Sequence, residues 1–171
     1  MAASRSIRER SVTVYSNSWC PHSRRSRALL TQQQIPFTDI DFEKDSTAAR
    51  KVEAWNNGYR SSPTIIIHLV LTEPSIVELE RVFISSGSLI LDLTVYTTGW
   101  CPDSRRTVNW FRENGIAFLT VDIDQDSAAA ARVSAWNQGN LSVPTLDITQ
   151  CVTEPTSDQL LTALALNSQS F

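Results

Sequence analysis

The chain reads as an α/β protein of two tandem β-α-β-α-β-β-α domains, each a four-stranded mixed sheet with flanking helices. Three observations predict this. Trp19-Cys20-Pro21-His22-Ser23-Arg24-Arg25 recurs 81 residues later (101 − 20) as Trp100-Cys101-Pro102-Asp103-Ser104-Arg105-Arg106. The same offset carries Trp55-Asn56 onto Trp136-Asn137, Pro63-Thr64 onto Pro144-Thr145 and Thr72-Glu73-Pro74 onto Thr153-Glu154-Pro155 without a gap. A fixed register over separate landmarks marks a unit written twice. Within each unit, short β-branched runs alternate with helical patterns, the signature of βαβ units.

In the first copy, Ser11-Val12-Thr13-Val14-Tyr15 is β-branched and aromatic and predicts a strand. Asn17-Ser18-Trp19-Cys20 is a turn, and Pro21 suits the first residue of a helix running to about Gln34. Ile35-Pro36 ends it, and residues 37–41 alternate as a second strand. Asp45-Ser46 is an N-cap signal for a helix from Thr47 to about Asn56, stopped by Asn57-Gly58. Residues 63–67 predict a third strand and, after a tight turn at His68, residues 69–72 a fourth. Glu73-Pro74-Ser75 opens a last helix with Ile76, Val77, Leu79, Val82 and Phe83 on its apolar side. The second copy repeats this order. The expected division is a tail over 1–10, domain 1 over 11–84, a polar linker over 85–91 and domain 2 over 92–166.

The 171 residues carry a net charge of −3, and the only lysines are Lys44 and Lys51. This balance argues against a nucleic-acid binder, which shows a basic face. Apolar runs such as Ile65-Ile66-Ile67 and Leu89-Ile90-Leu91 fall far short of a bilayer span of ~20 residues, so no membrane partner is expected. Three cysteines cannot close a disulfide framework, and residues 1–11 have no signal-peptide pattern. The expectation is a cytoplasmic protein.

Cys20 and Cys101 are the candidate catalytic nucleophiles. A cysteine just before a helix sits at the positive end of the helix dipole, near free backbone N–H groups, and both favour the thiolate. Pro21 and Pro102 sacrifice no hydrogen bond in the first turn. Arg24, Arg25, Arg105 and Arg106 add positive potential. His22 favours the neighbouring thiolate when protonated, whereas Asp103 opposes it, which predicts a lower thiol pKa at Cys20 than at Cys101. Ser23 and Ser104 stand where the second cysteine of a Cys-x-x-Cys pair would resolve a mixed disulfide. The expected cycle is therefore monothiol, with an external thiol releasing the enzyme. Cys151 has no counterpart in the first copy, where Val70 stands, and reads as a small buried hydrophobe.

Two Trp-Cys-Pro-x-Ser motifs, each followed 43 residues later (63 − 20) by a Pro-Thr pair in Ser62-Pro63-Thr64 and Val143-Pro144-Thr145, resemble the glutaredoxin branch of the thioredoxin superfamily. The bare first strand and the Thr-Glu-Pro segments look most like short bacterial mycoredoxin-type members. The resemblance implies a thioredoxin-like fold, cis prolines at Pro63 and Pro144, and substrate pairing with the backbone of Ser62 and Val143. Trp19 and Trp100 are expected to wall the sulfur. It also implies thiol–disulfide oxidoreductase activity on mixed disulfides between protein cysteines and a low-molecular-weight thiol (glutathione, mycothiol or bacillithiol), with no tightly bound cofactor or metal. Asn17 and Thr98 replace the lysine of glutathione users, and Glu73 and Glu154 occupy the segment that holds the glutamyl end, so mycothiol, bacillithiol or a protein thiol is credible in its place. Iron–sulfur cluster delivery is an alternative, opposed by proline at 21 and 102. A non-catalytic redox-sensing module is another.

Overall fold

The computed structural model describes residues 6–166. Copy one runs β1 (Ile7–Ser16), α1 (Pro21–Gln32), β2 (Thr38–Asp41), α2 (Ser46–Trp55), β3 (Thr64–Thr72) and α3 (Ile76–Glu80), which continues as a π-helical turn, Arg81–Ser85. Copy two runs β4 (Leu89–Thr97), α4 (Pro102–Glu113), β5 (Leu119–Asp122), α5 (Ser127–Trp136), β6 (Thr145–Thr153) and α6 (Ser157–Ala163). Local chemistry sets the helix starts. Asp45 and Asp126 accept first-turn N–H groups of α2 and α5, and Ser75 and Thr156 form capping boxes with Glu78 and Gln159. Among the described residues no helix is long and apolar enough to cross a membrane.

The expected hairpin within each copy does not form. Ile67-His68-Leu69 contains none of the residues that favour a two-residue turn, and β3 runs straight through His68 to Thr72. The partner that a returning strand would have provided comes from the other copy: β3 pairs antiparallel with β6 from Thr64↔Thr153 to Thr72↔Thr145. Each copy thus contributes three strands, and the two sheets merge into one of six, ordered β2-β1-β3-β6-β4-β5. His68 is a mid-strand residue rather than a turn residue, with Nε2 2.5 Å from Asp147 Oδ1 across the seam. The long central strands also lengthen their neighbours. Glu9 and Arg10 pair with Val70 and Leu69, and Leu89 pairs with Cys151, so Ile7–Arg10 and Leu89–Leu91 are strand, where a tail and a linker were expected. Residues 1–5 of that tail lie outside the described residues.

One face of the sheet carries a core common to both copies. Ile65, Ile67, Leu69 and Leu71 of β3 and Leu146, Ile148 and Val152 of β6 pack with Leu30, Leu79, Val82, Phe111 and Leu160. Full burial of each such aliphatic side chain is worth roughly 1.5–3 kcal/mol, so the seam carries burial energy comparable to the net stability of an ordinary domain. The other face has two separate clusters, one under α2 (Tyr15, Phe42, Ala48, Ala49, Val52) and one under α5 (Tyr96, Ile123, Ala129, Val133, Val143). Because β3 and β6 are antiparallel, Cys20 and Pro63 lie at one end of the sheet and Cys101 and Pro144 at the other. Nine residues at about 3.3 Å each put the two ends roughly 25–30 Å apart.

Candidate active site

Cys20 is the N-cap of α1, with extended backbone (φ −71°, ψ 121°) and Pro21 in the first helical turn. Its sulfur is buried and lies 3.2 Å from the Ser62 carbonyl oxygen, to which the protonated thiol donates. Both Ser62-Pro63 and Val143-Pro144 are cis. The Ser62 hydroxyl lies 2.9 Å from that of Ser23, and the Asn17 N–H donates to Ser62 Oγ at 3.1 Å. Burial raises the Cys20 thiol, but the hydroxyl and N–H of Ser23, the Ser62 hydroxyl and the His22 N–H together outweigh it and hold Cys20 below the ordinary thiol value. His22 therefore acts on the sulfur through its backbone. Its imidazole is exposed, with Nδ1 3.4 Å from Arg25.

Copy two repeats the frame with different polar partners. Cys101 caps α4 and accepts from the Ser104 N–H at 3.4 Å, and its sulfur is 3.7 Å from the Val143 carbonyl. Val143 has no hydroxyl to match Ser62, and the buried Ser104 Oγ is left without a partner. Asn17 Oδ1 and the equivalent Thr98 Oγ1 are also buried and unpartnered. Asp103 pairs with Arg106 at 3.1 Å on the exposed face. Arg24, Arg25 and Arg105 are exposed on the outer faces of α1 and α4, and none of these arginines is among the groups that set the Cys20 thiol.

Trp19 and Trp100 stand beside the cysteines, about two-thirds exposed at 67% and 69%. Trp100 Nε1 donates to Asp124 Oδ2 at 3.0 Å, and Trp19 Nε1 reaches Glu43 Oε1 at 3.5 Å. Trp55 and Trp136 pack edge-to-face on Tyr15 and Tyr96 beneath the sites. Cys151 is buried in β6 opposite Ile66, and burial pushes its thiol up. It lies within the seam, away from both Cys20 and Cys101.

Each site also contains residues of the opposite copy, which the repeat pattern did not reveal. The Glu154 N–H donates to the Pro63 carbonyl and the Glu73 N–H to the Pro144 carbonyl, both at 2.8 Å. Thr153 Oγ1 bonds Asn56 Oδ1, and Thr72 Oγ1 bonds Asn137 Oδ1. Glu73 and Glu154 hold positive φ (49° and 47°) at these crossings. The Thr-Glu-Pro segments thus flank the cis proline of the other copy, because the returning strand comes from the other copy. Arg27, with no predicted role, bonds Asp39 Oδ2 at 2.8 Å and also bonds Ser16 Oγ. Comparing the copies at the 81-residue offset would have flagged it, since Val108 stands in its place.

Comparison with known proteins agrees with this geometry. A glutaredoxin family model matches residues 12–70 and again 93–150. A Mycobacterium tuberculosis protein provisionally named a glutaredoxin is 39% identical over 70 residues, 40% of this chain and 83% of that protein. Mycoredoxin 1 of Corynebacterium glutamicum is 36% identical over 55 residues, 32% of this chain and 67% of that protein. With two matches in register, each centred on a helix-capping cysteine facing a cis proline, the chain belongs to the glutaredoxin family of thiol–disulfide oxidoreductases.

Proposed function

We propose that the protein reduces mixed disulfides between protein cysteines and a low-molecular-weight thiol by a monothiol cycle, with Cys20 the more reactive of two nucleophiles. The observation that supports this best is the surroundings of Cys20, a thiol lowered by hydroxyl and N–H donors at a helix N-cap, with serine in the resolving position. The Cys20 thiolate attacks the small-thiol sulfur of the mixed disulfide. That S–S bond breaks, the protein cysteine leaves as thiolate and takes a proton from solvent, and Cys20 becomes disulfide-bonded to the small thiol. A second small-thiol thiolate attacks the small-thiol sulfur of this adduct, releasing the symmetrical small disulfide and restoring the Cys20 thiolate. Ser23 supports the first step as a hydrogen-bond donor, and its hydroxyl cannot form the intramolecular disulfide that would bypass the second.

Mycothiol is the favoured co-substrate, because relatives carry the name mycoredoxin and Asn17 and Thr98 leave no lysine for the carboxylate of glutathione. Bacillithiol and glutathione are the alternatives. A reducing, cytoplasmic setting suits three free cysteines. The test is turnover of a peptide mixed disulfide with each thiol in turn, using the wild type, C20S and C101S. The expected result is turnover with mycothiol, nearly all of it lost in C20S, and a single small-thiol adduct on Cys20 by intact mass. Full activity of C20S, or no turnover with any thiol, overturns the proposal.

A further inference from the structure

The two copies differ sharply beside their catalytic helices. In copy one the space between α1, the end of β1 and β2 is filled by Arg27, bonded to Asp39 and Ser16. At the equivalent places copy two has Val108, Thr120 and Thr97. The plug is missing, and a cleft of about 220 Å³ opens between α4, β4 and β5, about seven water molecules' share of liquid volume. Thr98 and Ser104 line it, 4% and 2% exposed, and each has a buried hydroxyl with no partner. Arg105, Asn109 and Arg112 also line the cleft, and no acidic residue does. Ala28 and Thr31 stand in copy one where Asn109 and Arg112 stand in copy two. Neither Arg105 nor Arg112 forms an ion pair among the described residues. Copy two therefore has no counterpart of this half-exposed guanidinium–carboxylate pair and has instead an amide and a second guanidinium lining the cleft, the Arg112 Cζ lying 6.0 Å from the Phe118 ring centroid.

We propose that this cleft is a binding site for a small oxyanion, the carboxylate of a compact metabolite or a phosphate group, held by Arg105 and Arg112 with Asn109. Guanidinium groups match planar and tetrahedral oxyanions, and the Asn109 side-chain amide is a neutral donor for a third contact. The site is independent of the catalytic proposal. It also has a consequence for copy two alone: an anion here adds negative charge beside the helix that Cys101 caps and disfavours its thiolate.

The test titrates the full reduced chain with inorganic phosphate and, separately, with succinate, following backbone amide NMR shifts. The expected result is saturable shifts at Gly99, Ser104 and Asn109, with none at the copy-one equivalents Ser18, Ser23 and Ala28. Whichever probe saturates at lower concentration identifies the group. Binding should weaken about tenfold in Arg112→Ala, as expected for loss of one charged hydrogen-bond donor, and disappear in Val108→Arg/Thr120→Asp, which installs the copy-one plug. Arg112 is exposed, so R112A keeps the test decisive if the double variant does not fold. Alkylation of Cys101, but not of Cys20, should slow in the presence of the bound probe. Absence of saturable shifts with both probes, equal shifts in the two copies, or unchanged binding in R112A overturns the proposal.

Discussion

Replacing Ser62 with valine gives copy one the residue that copy two already has at Val143, and the structure sets the consequences. Ser62 Oγ accepts from the Asn17 N–H and exchanges a hydrogen bond with Ser23 Oγ, all three residues being buried. Valine leaves the Ser23 hydroxyl and the Asn17 N–H without this partner. A buried donor or acceptor left unsatisfied costs about 1–3 kcal/mol, so two of them, offset in part by the added methyl contacts, should cost about 2 kcal/mol. In a chain of this size that is a fall in Tm of about 4–8 °C. The same substitution removes one of the groups that lower the Cys20 thiol, so its pKa rises toward the ordinary value. The stability arm is read by urea denaturation. The chemical arm is the pH dependence of Cys20 alkylation in a C101S/C151S background. In an S23A background, where one of the two stranded groups no longer exists, Ser62→Val should cost measurably less. A variant as stable as the wild type, with the Cys20 alkylation midpoint unmoved or lowered, refutes the reasoning.

Three further outcomes are expected. Asp147 raises the His68 pKa above its ordinary 6.5, so the stability His68 contributes is fully present below about pH 6.5 and is lost as pH rises through its folded value. Denaturation of the wild type and His68→Gln at pH 5.5 and pH 9 should show the difference shrinking at the higher pH. Ile67 is fully buried in the core common to both copies, so Ile67→Ala should cost about 2–5 kcal/mol, and calorimetry should still show one transition. Cys20 has a lowered thiol pKa, so its thiolate adds stability that appears as pH rises through the folded value and is complete above the ordinary thiol value of 9.0. The gap between the wild type and C20S should therefore widen with pH up to that point.

Much of this was legible from short-range chemistry. The cysteine–proline helix starts, the Asp45 and Asp126 caps and the β-α-β-α order are set by neighbouring residues and follow from a sequence pattern. The strand count was not legible, because a nine-residue apolar run such as Thr64–Thr72 has the same composition whether it folds back on itself or continues beside another copy. The absence of a turn residue at His68 was the available signal. The cysteine–proline frame of the candidate site was visible, but its tuning was not. Ser62 was read for its backbone, whereas its hydroxyl joins Ser23, a contact made only in the fold because the two residues are 39 apart in sequence. The crossing of Glu73 and Glu154 to opposite sites follows from the same misplaced strand.

The β3–β6 register has one more implication. His68 pairs with Thr149, which is its own counterpart in the second copy, so the seam has a local two-fold axis through the middle of the strand. The tandem chain is therefore built as a symmetric dimer whose subunits have been joined end to end by a short polar connector. A single copy expressed alone would carry an unpaired, apolar edge and an incomplete site, and self-association through 64↔72 pairing would restore both. Joining the copies removes the concentration dependence of that assembly. It also frees the two halves to diverge: one keeps the Ser62 hydroxyl network, and the other has opened a cleft where its twin holds an ion pair.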